Sequence, residues 1–147
     1  MGNTFRSRLA EAYLRSKKIP NVDVSSSGVR AHENKNGPVC WYTVRLIKRH
    51  HLIPHLTHTW TKTTPTHLKN ADIVIFMDKK HHEHSKNDLG FTGSRYEIWN
   101  IPDLDNFGVH DTGETLDEEL ATMRISEKVY KLIIQKVNRL ITSLGSL

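Results

Sequence analysis

The chain has 147 residues, 37% hydrophobic and 25% charged, so it is read as one compact domain over residues 1–147 with enough apolar content for a core. No apolar run approaches the roughly 18 residues of a membrane span, and the single cysteine, Cys40, excludes an internal disulfide framework. With no recognisable secretory signal, a reducing cytoplasm is the expected location. The net charge of +5 suits an anionic substrate and a nucleic acid equally, and no nucleic-acid module is recognised.

Met1-Gly2-Asn3-Thr4-Phe5-Arg6-Ser7 runs directly into Arg8-Leu9-Ala10-Glu11-Ala12-Tyr13-Leu14. A glycine and an asparagine in a tight loop ahead of a helix can turn consecutive N–H groups toward one phosphate-like oxyanion, helped by the helix dipole. Arg6 adds a two-pronged donor. The plain alternative is a tail in which Ser7 caps the helix. Leu9, Ala10, Tyr13 and Leu14 fall at helical spacing, which predicts a helix from Ser7 to about Lys18, stopped by Pro20.

Val22 to Val29 reads as a short strand ending in a serine-rich turn. Pro38 opens a second predicted helix, with Cys40 inside it as a small buried hydrophobe rather than a nucleophile, because neither a loop glycine nor a following arginine places it in an anion site. The histidines at 50, 51, 55 and 58, and those at 81, 82 and 84 around Glu83, suggest zinc at first. Pro54 breaks the helix that would align the first group, and no His-Glu-x-x-His is present, so no metal is expected.

Thr64-Pro65 reads as a capped helix start. Ala71 to Asp78 is the clearest strand, and its continuous apolar run requires helices on both faces of a parallel sheet. Lys79 to Asp88 is polar, and the family resemblance set out below implies a helix there. Tyr96 to Ile101 is a further strand that delivers Pro102-Asp103. An aspartate just past the C-terminal end of a parallel strand stands on the rim where a phosphate loop also stands; the lesser alternative is an ordinary turn aspartate. Asn106 to Thr115 is a polar loop, and Leu116 to Leu144 is one long amphipathic helix. The alternation of helices and strands predicts an α/β layered fold around a parallel sheet.

The stretch from residue 2 to residue 12 resembles the active-site loop of the low-molecular-weight protein tyrosine phosphatases: Gly2, Asn3, Arg6, Ser7, Ala10, Glu11 and Ala12 match. The Met77-Asp78 strand end matches as well, and the resemblance extends over essentially the whole chain. It implies a three-layer αβα sandwich on a four-stranded parallel sheet, its first strand missing here. Gly2, Asn3, Thr4, Phe5, Arg6 and Ser7 would cradle phosphate or sulfate, with Asn3, Ser7, Ser26 and His58 supporting the loop. His58 aligns only with a one-residue insertion.

Asp103 would be the general acid, followed by Leu104 where the family usually has proline, and Asp105 is the runner-up. Of the aromatic residues that follow the family's acid, only Phe107 is nearby. The implied reaction is hydrolysis of a phosphorylated protein or small aryl phosphate through a cysteinyl-phosphate, without cofactor, metal, nucleic acid or membrane. The family's nucleophilic cysteine stands six positions before the arginine, which here falls just ahead of Met1. Met1 is therefore read as an internal methionine, little phosphatase activity is expected of these 147 residues, and unpaired strand edges are expected to make them marginal or aggregating. Two related readings are a non-catalytic phosphate- or phosphotyrosine-binding protein and an arsenate reductase, which needs more cysteines than Cys40.

Overall fold

The computed structural model describes residues 2–33, 37–104 and 115–145. In chain order the elements are α1 (Arg6–Ser16), a 3-10 turn (Ala31–Glu33), α2 (Trp41–Arg49), a second 3-10 turn (Ile53–His55), α3 (Pro65–Asn70), β1 (Val74–Phe76), α4 (Lys79–Asp88), β2 (Tyr96–Ile98) and α5 (Leu116–Gly145). Helices α4 and α5 lie where the sequence puts them. Helix α1 stops two residues before Lys18, which takes a left-handed φ of 48° and turns the chain away.

Helix α2 begins three residues after Pro38. Cys40 is extended at its N-cap, and the Cys40 N–H donates to the Thr4 carbonyl at 3.1 Å. That tertiary bond holds Cys40 outside the helix, half-buried against the core rather than within it. Pro54 falls in the second 3-10 turn, where its missing N–H costs no helical bond. Thr64 caps α3 by accepting the His67 N–H, and Asp78 caps α4 by accepting the His81 N–H.

β1 and β2 pair in parallel, with Val74 opposite Tyr96 and Phe76 opposite Ile98. The continuous apolar run of β1 has the predicted consequence. Ile75 and Met77 join the main core with Phe5, Leu9, Leu46, Trp99, Val129, Ile133 and Val137, whereas Val74 and Phe76 join a smaller cluster with Leu68 and Phe91 on the opposite face. Helix α5 supplies the stripe that covers α1: Val129, Ile133 and Val137 are fully buried. Burial of each such side chain contributes about 1.5–3 kcal/mol.

Two expectations are corrected. The predicted strand from Val22 to Val29 does not form; it runs without regular structure and makes one parallel bridge, Gly28 to Lys62. Among the described residues the paired sheet therefore has two strands. A strand exists only through its neighbours' hydrogen bonds, and beyond Gly28 the side of this segment away from Thr61–Thr63 faces a cavity. The strand over 71–78 likewise shortens to Val74–Phe76, the length that β2 pairs. No helix among the described residues is long and apolar enough to cross a membrane.

Candidate active site

The loop from Gly2 to Phe5 is held from three directions. Asn3 takes a left-handed φ of 58°, which asparagine tolerates, and its side chain is 3% exposed. Its amide nitrogen donates to Ser7 Oγ at 3.0 Å and to Ser26 Oγ at 2.9 Å, and its carbonyl oxygen accepts the Thr61 N–H at 2.9 Å. Ser26 in turn donates to the buried Glu11 carboxylate, which also meets Arg8 and Arg15 of α1. On the other side, the Thr4 carbonyl accepts from the Thr43 hydroxyl at 2.6 Å as well as from the Cys40 amide. The loop is thus braced before any anion arrives, which is the condition for strong anion stabilisation.

Arg6 opens α1 and is 5% exposed. Its guanidinium donates to Asp103 at 2.8 Å, to Asp78 at 3.2 Å and to the Ile101 carbonyl at 2.6 Å. Residues separated by almost a hundred positions therefore meet at the mouth of the loop. Both carboxylates are about one-third exposed, so they stand at the opening rather than in the core. Burial pushes the Asp78 carboxyl up, but His81 and Arg6 outweigh it and hold the group below its ordinary value. His81 lies 3.5 Å from Asp78, and burial, against the pull of that carboxylate, pushes it down to about 4. It is therefore neutral at pH 7.

The loop residues from Gly2 to Ser7, the Ser27–Val29 segment, Val74 to Met77, His81 and Asp103 line one cavity of about 130 Å³. Of the residues singled out from the sequence, Gly2, Asn3, Thr4, Phe5, Arg6, Ser7 and Asp103 converge on it, and Ser26 stands directly behind Asn3. Phe5 contributes its backbone, because its ring is buried in the core. His58 is not brought to the loop. It is exposed on a bend and makes no hydrogen bond or ion pair among the described residues; Thr57 and Thr61 on either side make the contacts instead. Asp105 and Phe107 fall outside the described residues. Cys40 does not line the cavity; its sulfur lies 3.2 Å from the Thr43 hydroxyl on the α2 side of the loop.

Sequence reading missed Asp78 and His81 as partners at the site. The Asp-x-x-His spacing at a helix start is a capping signal, and it gave no sign that the same carboxylate would reach Arg6. Buried Arg8 and half-buried Thr57, a pair joining α1 to the chain that leads toward Thr61, also left no local trace.

No curated protein matches the chain significantly. Solved structures do. Wzb, a tyrosine phosphatase from Escherichia coli crystallised with sulphate, is 21% identical, with a TM-score of 0.70 over 99% of this chain and 94% of that one. A low molecular weight protein tyrosine phosphatase from Bacillus subtilis is 24% identical, with a TM-score of 0.67 over 97% and 93%. YwlE from Bacillus subtilis, for which a further structure is described as an arginine phosphatase, is 23% identical, with a TM-score of 0.67 over 95% and 93%. At these identities the likeness establishes the α/β fold. The profile described as low molecular weight phosphotyrosine protein phosphatase matches residues 1–146, nearly the full length. The chain belongs to the low molecular weight phosphotyrosine protein phosphatase family.

Proposed function

We propose that this is the phosphomonoester site of a protein tyrosine phosphatase, over one domain spanning residues 1–147, and that these residues supply its cradle, its arginine and its acid. The observation that carries the reading is the 2.8 Å contact between Arg6 and Asp103 at the mouth of a braced loop of backbone amides. With phosphate in the loop, the guanidinium exchanges its carboxylate partners for two phosphoryl oxygens and stabilises the charge that builds there. Asp103, thereby released from the guanidinium, takes up a proton from solvent and passes it to the leaving oxygen as the phosphorus–oxygen bond breaks. Neutral His81 adds no positive charge to compete for the acid.

Hydrolysis through a cysteinyl-phosphate also needs a thiolate in line with the phosphorus. No sulfur of Cys40 reaches the cavity, so the 147 residues by themselves are proposed to bind phosphate and to turn substrate over slowly at best. That same observation favours the second reading, a phosphate- or phosphotyrosine-binding protein without turnover. With one cysteine, redox turnover as an arsenate reductase finds no support. Phosphorylated proteins and small aryl phosphates are the proposed ligands, and a reducing cytoplasm suits the chemistry.

Titration calorimetry with inorganic phosphate tests the reading. The chain is expected to bind one phosphate, and Arg6→Ala to weaken it at least about tenfold, since a charge-assisted hydrogen bond contributes about 1.5–3 kcal/mol. Asp103→Asn is expected to leave binding intact. Absence of saturable binding, or equal affinity after Arg6→Ala, would reject the site. Release of phosphate from an aryl phosphate at ordinary enzymatic rates would reject the claim that the chain lacks its nucleophile.

A further inference from the structure

Helix α5 turns one face to the core and the opposite face to solvent. Val129, Ile133 and Val137 are fully buried. The residues half a turn away, Arg124, Lys128, Lys131, Gln135 and Arg139, follow one another at three- and four-residue steps and are all exposed. From Arg124 to Arg139 this outward stripe runs about 22 Å. Its sign is uniform. From Leu120 to Gly145 the chain carries five cations, Arg124, Lys128, Lys131, Lys136 and Arg139, against the one carboxylate of Glu127, a net of +4 where the whole chain has +5. Glu127 does not serve the stripe, because its carboxylate meets Arg49 and faces His50 on the α2 side.

Elsewhere cations sit beside carboxylates, as Arg15 does with Glu11 and Lys79 with Glu83, but no ion pair among the described residues includes a cation of the stripe. Helix energetics do not account for it. Like charges one turn apart oppose each other, Arg124 with Lys128 and Lys128 with Lys131, and the helix dipole favours cations only in the last turn, which holds none. A basic face of a single sign points to an anion outside the chain. The stripe also selects among anions. Single-stranded nucleic acid is held by exposed aromatic side chains, and the one aromatic residue of α5, Tyr130, is 2% exposed. Leu132 stands among the cations, 42% exposed and one turn from both Lys128 and Lys136. A polyanion in water gives that side chain nothing to bury against. At a lipid surface it enters the acyl boundary while the flanking lysines reach the headgroups along their apolar stems. A straight row of cations on a helix packed against α1 meets a plane along its whole length.

We propose that the outward face of α5 is a docking surface for an anionic lipid bilayer, on which the helix lies parallel to the membrane plane with Leu132 at the acyl boundary and the basic stripe among the headgroups. The attachment is peripheral, and it departs from the sequence expectation of no membrane partner. It goes beyond the phosphate reading and needs no phosphate in the loop.

Co-sedimentation of the full chain with vesicles tests this. At about 0.1 M salt the chain is expected to bind vesicles of equal parts phosphatidylcholine and phosphatidylglycerol at least about tenfold more tightly than vesicles of phosphatidylcholine alone. It is expected to leave them at about 1 M salt, where the screening length falls to about 3 Å. Lys128→Gln combined with Lys131→Gln is expected to lose at least about tenfold in affinity for the mixed vesicles. Leu132→Ser, which keeps every charge, is expected to lose several-fold. Both variants should keep the thermal midpoint of the parent within a few degrees, since the three side chains are exposed. Equal binding to the two kinds of vesicle, or an affinity unmoved by the lysine changes, overturns the proposal. So does a Leu132→Ser variant that binds as the parent does, or saturable binding of a DNA duplex that is tighter than binding of the mixed vesicles, either of which would give the stripe to a polyanion in water.

Discussion

Glu11→Ala is expected to be among the most damaging single changes at a residue that never touches the ligand. Glu11 and Arg8 are each 1% exposed in their side chains and lie 3.5 Å apart on one face of α1, while Arg15, 3.2 Å from the other carboxylate oxygen, is 39% exposed. Without Glu11, Arg15 can turn to water. Arg8 cannot: burial already works against its charge, Glu11 is the neighbour that favours it, and its Nε has no hydrogen-bond partner among the described residues. Stranding a buried charge in this way costs about 3–5 kcal/mol, a large share of the roughly 5–15 kcal/mol that holds a domain together. The Ser26 hydroxyl loses its acceptor in the same step, so the brace behind Asn3 loosens and phosphate affinity falls with stability. Urea unfolding of Glu11→Ala, of Arg8→Met and of the pair Arg8→Met with Glu11→Ala tests this as a cycle. The pair is expected to be more stable than Glu11→Ala alone, because removing both charges is far cheaper than removing one. A cost below about 1 kcal/mol for Glu11→Ala, or simple additivity of the two sites, would refute the reasoning.

Two further outcomes are expected. His81, pushed down to about 4 from an ordinary 6.5, is held neutral in the folded chain. Its contribution is complete above pH 6.5 and is lost as the pH falls toward 4, where the unfolded chain has already taken up the proton; the size is of order 2–3 kcal/mol. Around it Arg6 lowers its proton affinity, and Asp78 and Asp103 raise it. Asp78, held low itself, destabilises in the same direction only at more acid pH. Thermal midpoints of the parent and of His81→Asn between pH 4 and 7 check this, and an unchanged slope in the variant counts against it. Thr64→Ala removes the cap of α3 and is expected to cost about 1 kcal/mol in urea unfolding. Phosphate affinity should not change; a loss of binding would tie α3 to the loop in a way the contacts do not.

Reading the chain found α5 almost to the residue, because an apolar stripe through Tyr130, Ile133 and Val137 is written within a few positions of the element it defines, whereas α4 was placed through the family resemblance after Met77-Asp78. The braced loop ahead of α1 was legible for a similar reason. Gly2, Asn3, Arg6 and Ser7 carry their chemistry in consecutive backbone, so residue types alone suggest an anion cradle. The start of α2 was not legible, since the Cys40 amide is drawn to the Thr4 carbonyl, 36 positions away, and no local propensity records that bond.

The segment from Val22 to Val29 has the composition of a strand and is not one. Composition sets what a backbone can do, whereas pairing depends on which backbone lies alongside it. Sequence by itself determined the periodic elements, the tight loop ahead of α1 and the presence of Arg6 and Asp103 as candidates for a site. Only tertiary structure decided that Arg6 would be shared by Asp78 and Asp103 and that Ser26 would join Asn3 to Glu11. Hydrogen bonds and ion pairs act over a few ångströms of space, and the residues they join here stand up to 97 positions apart in the chain.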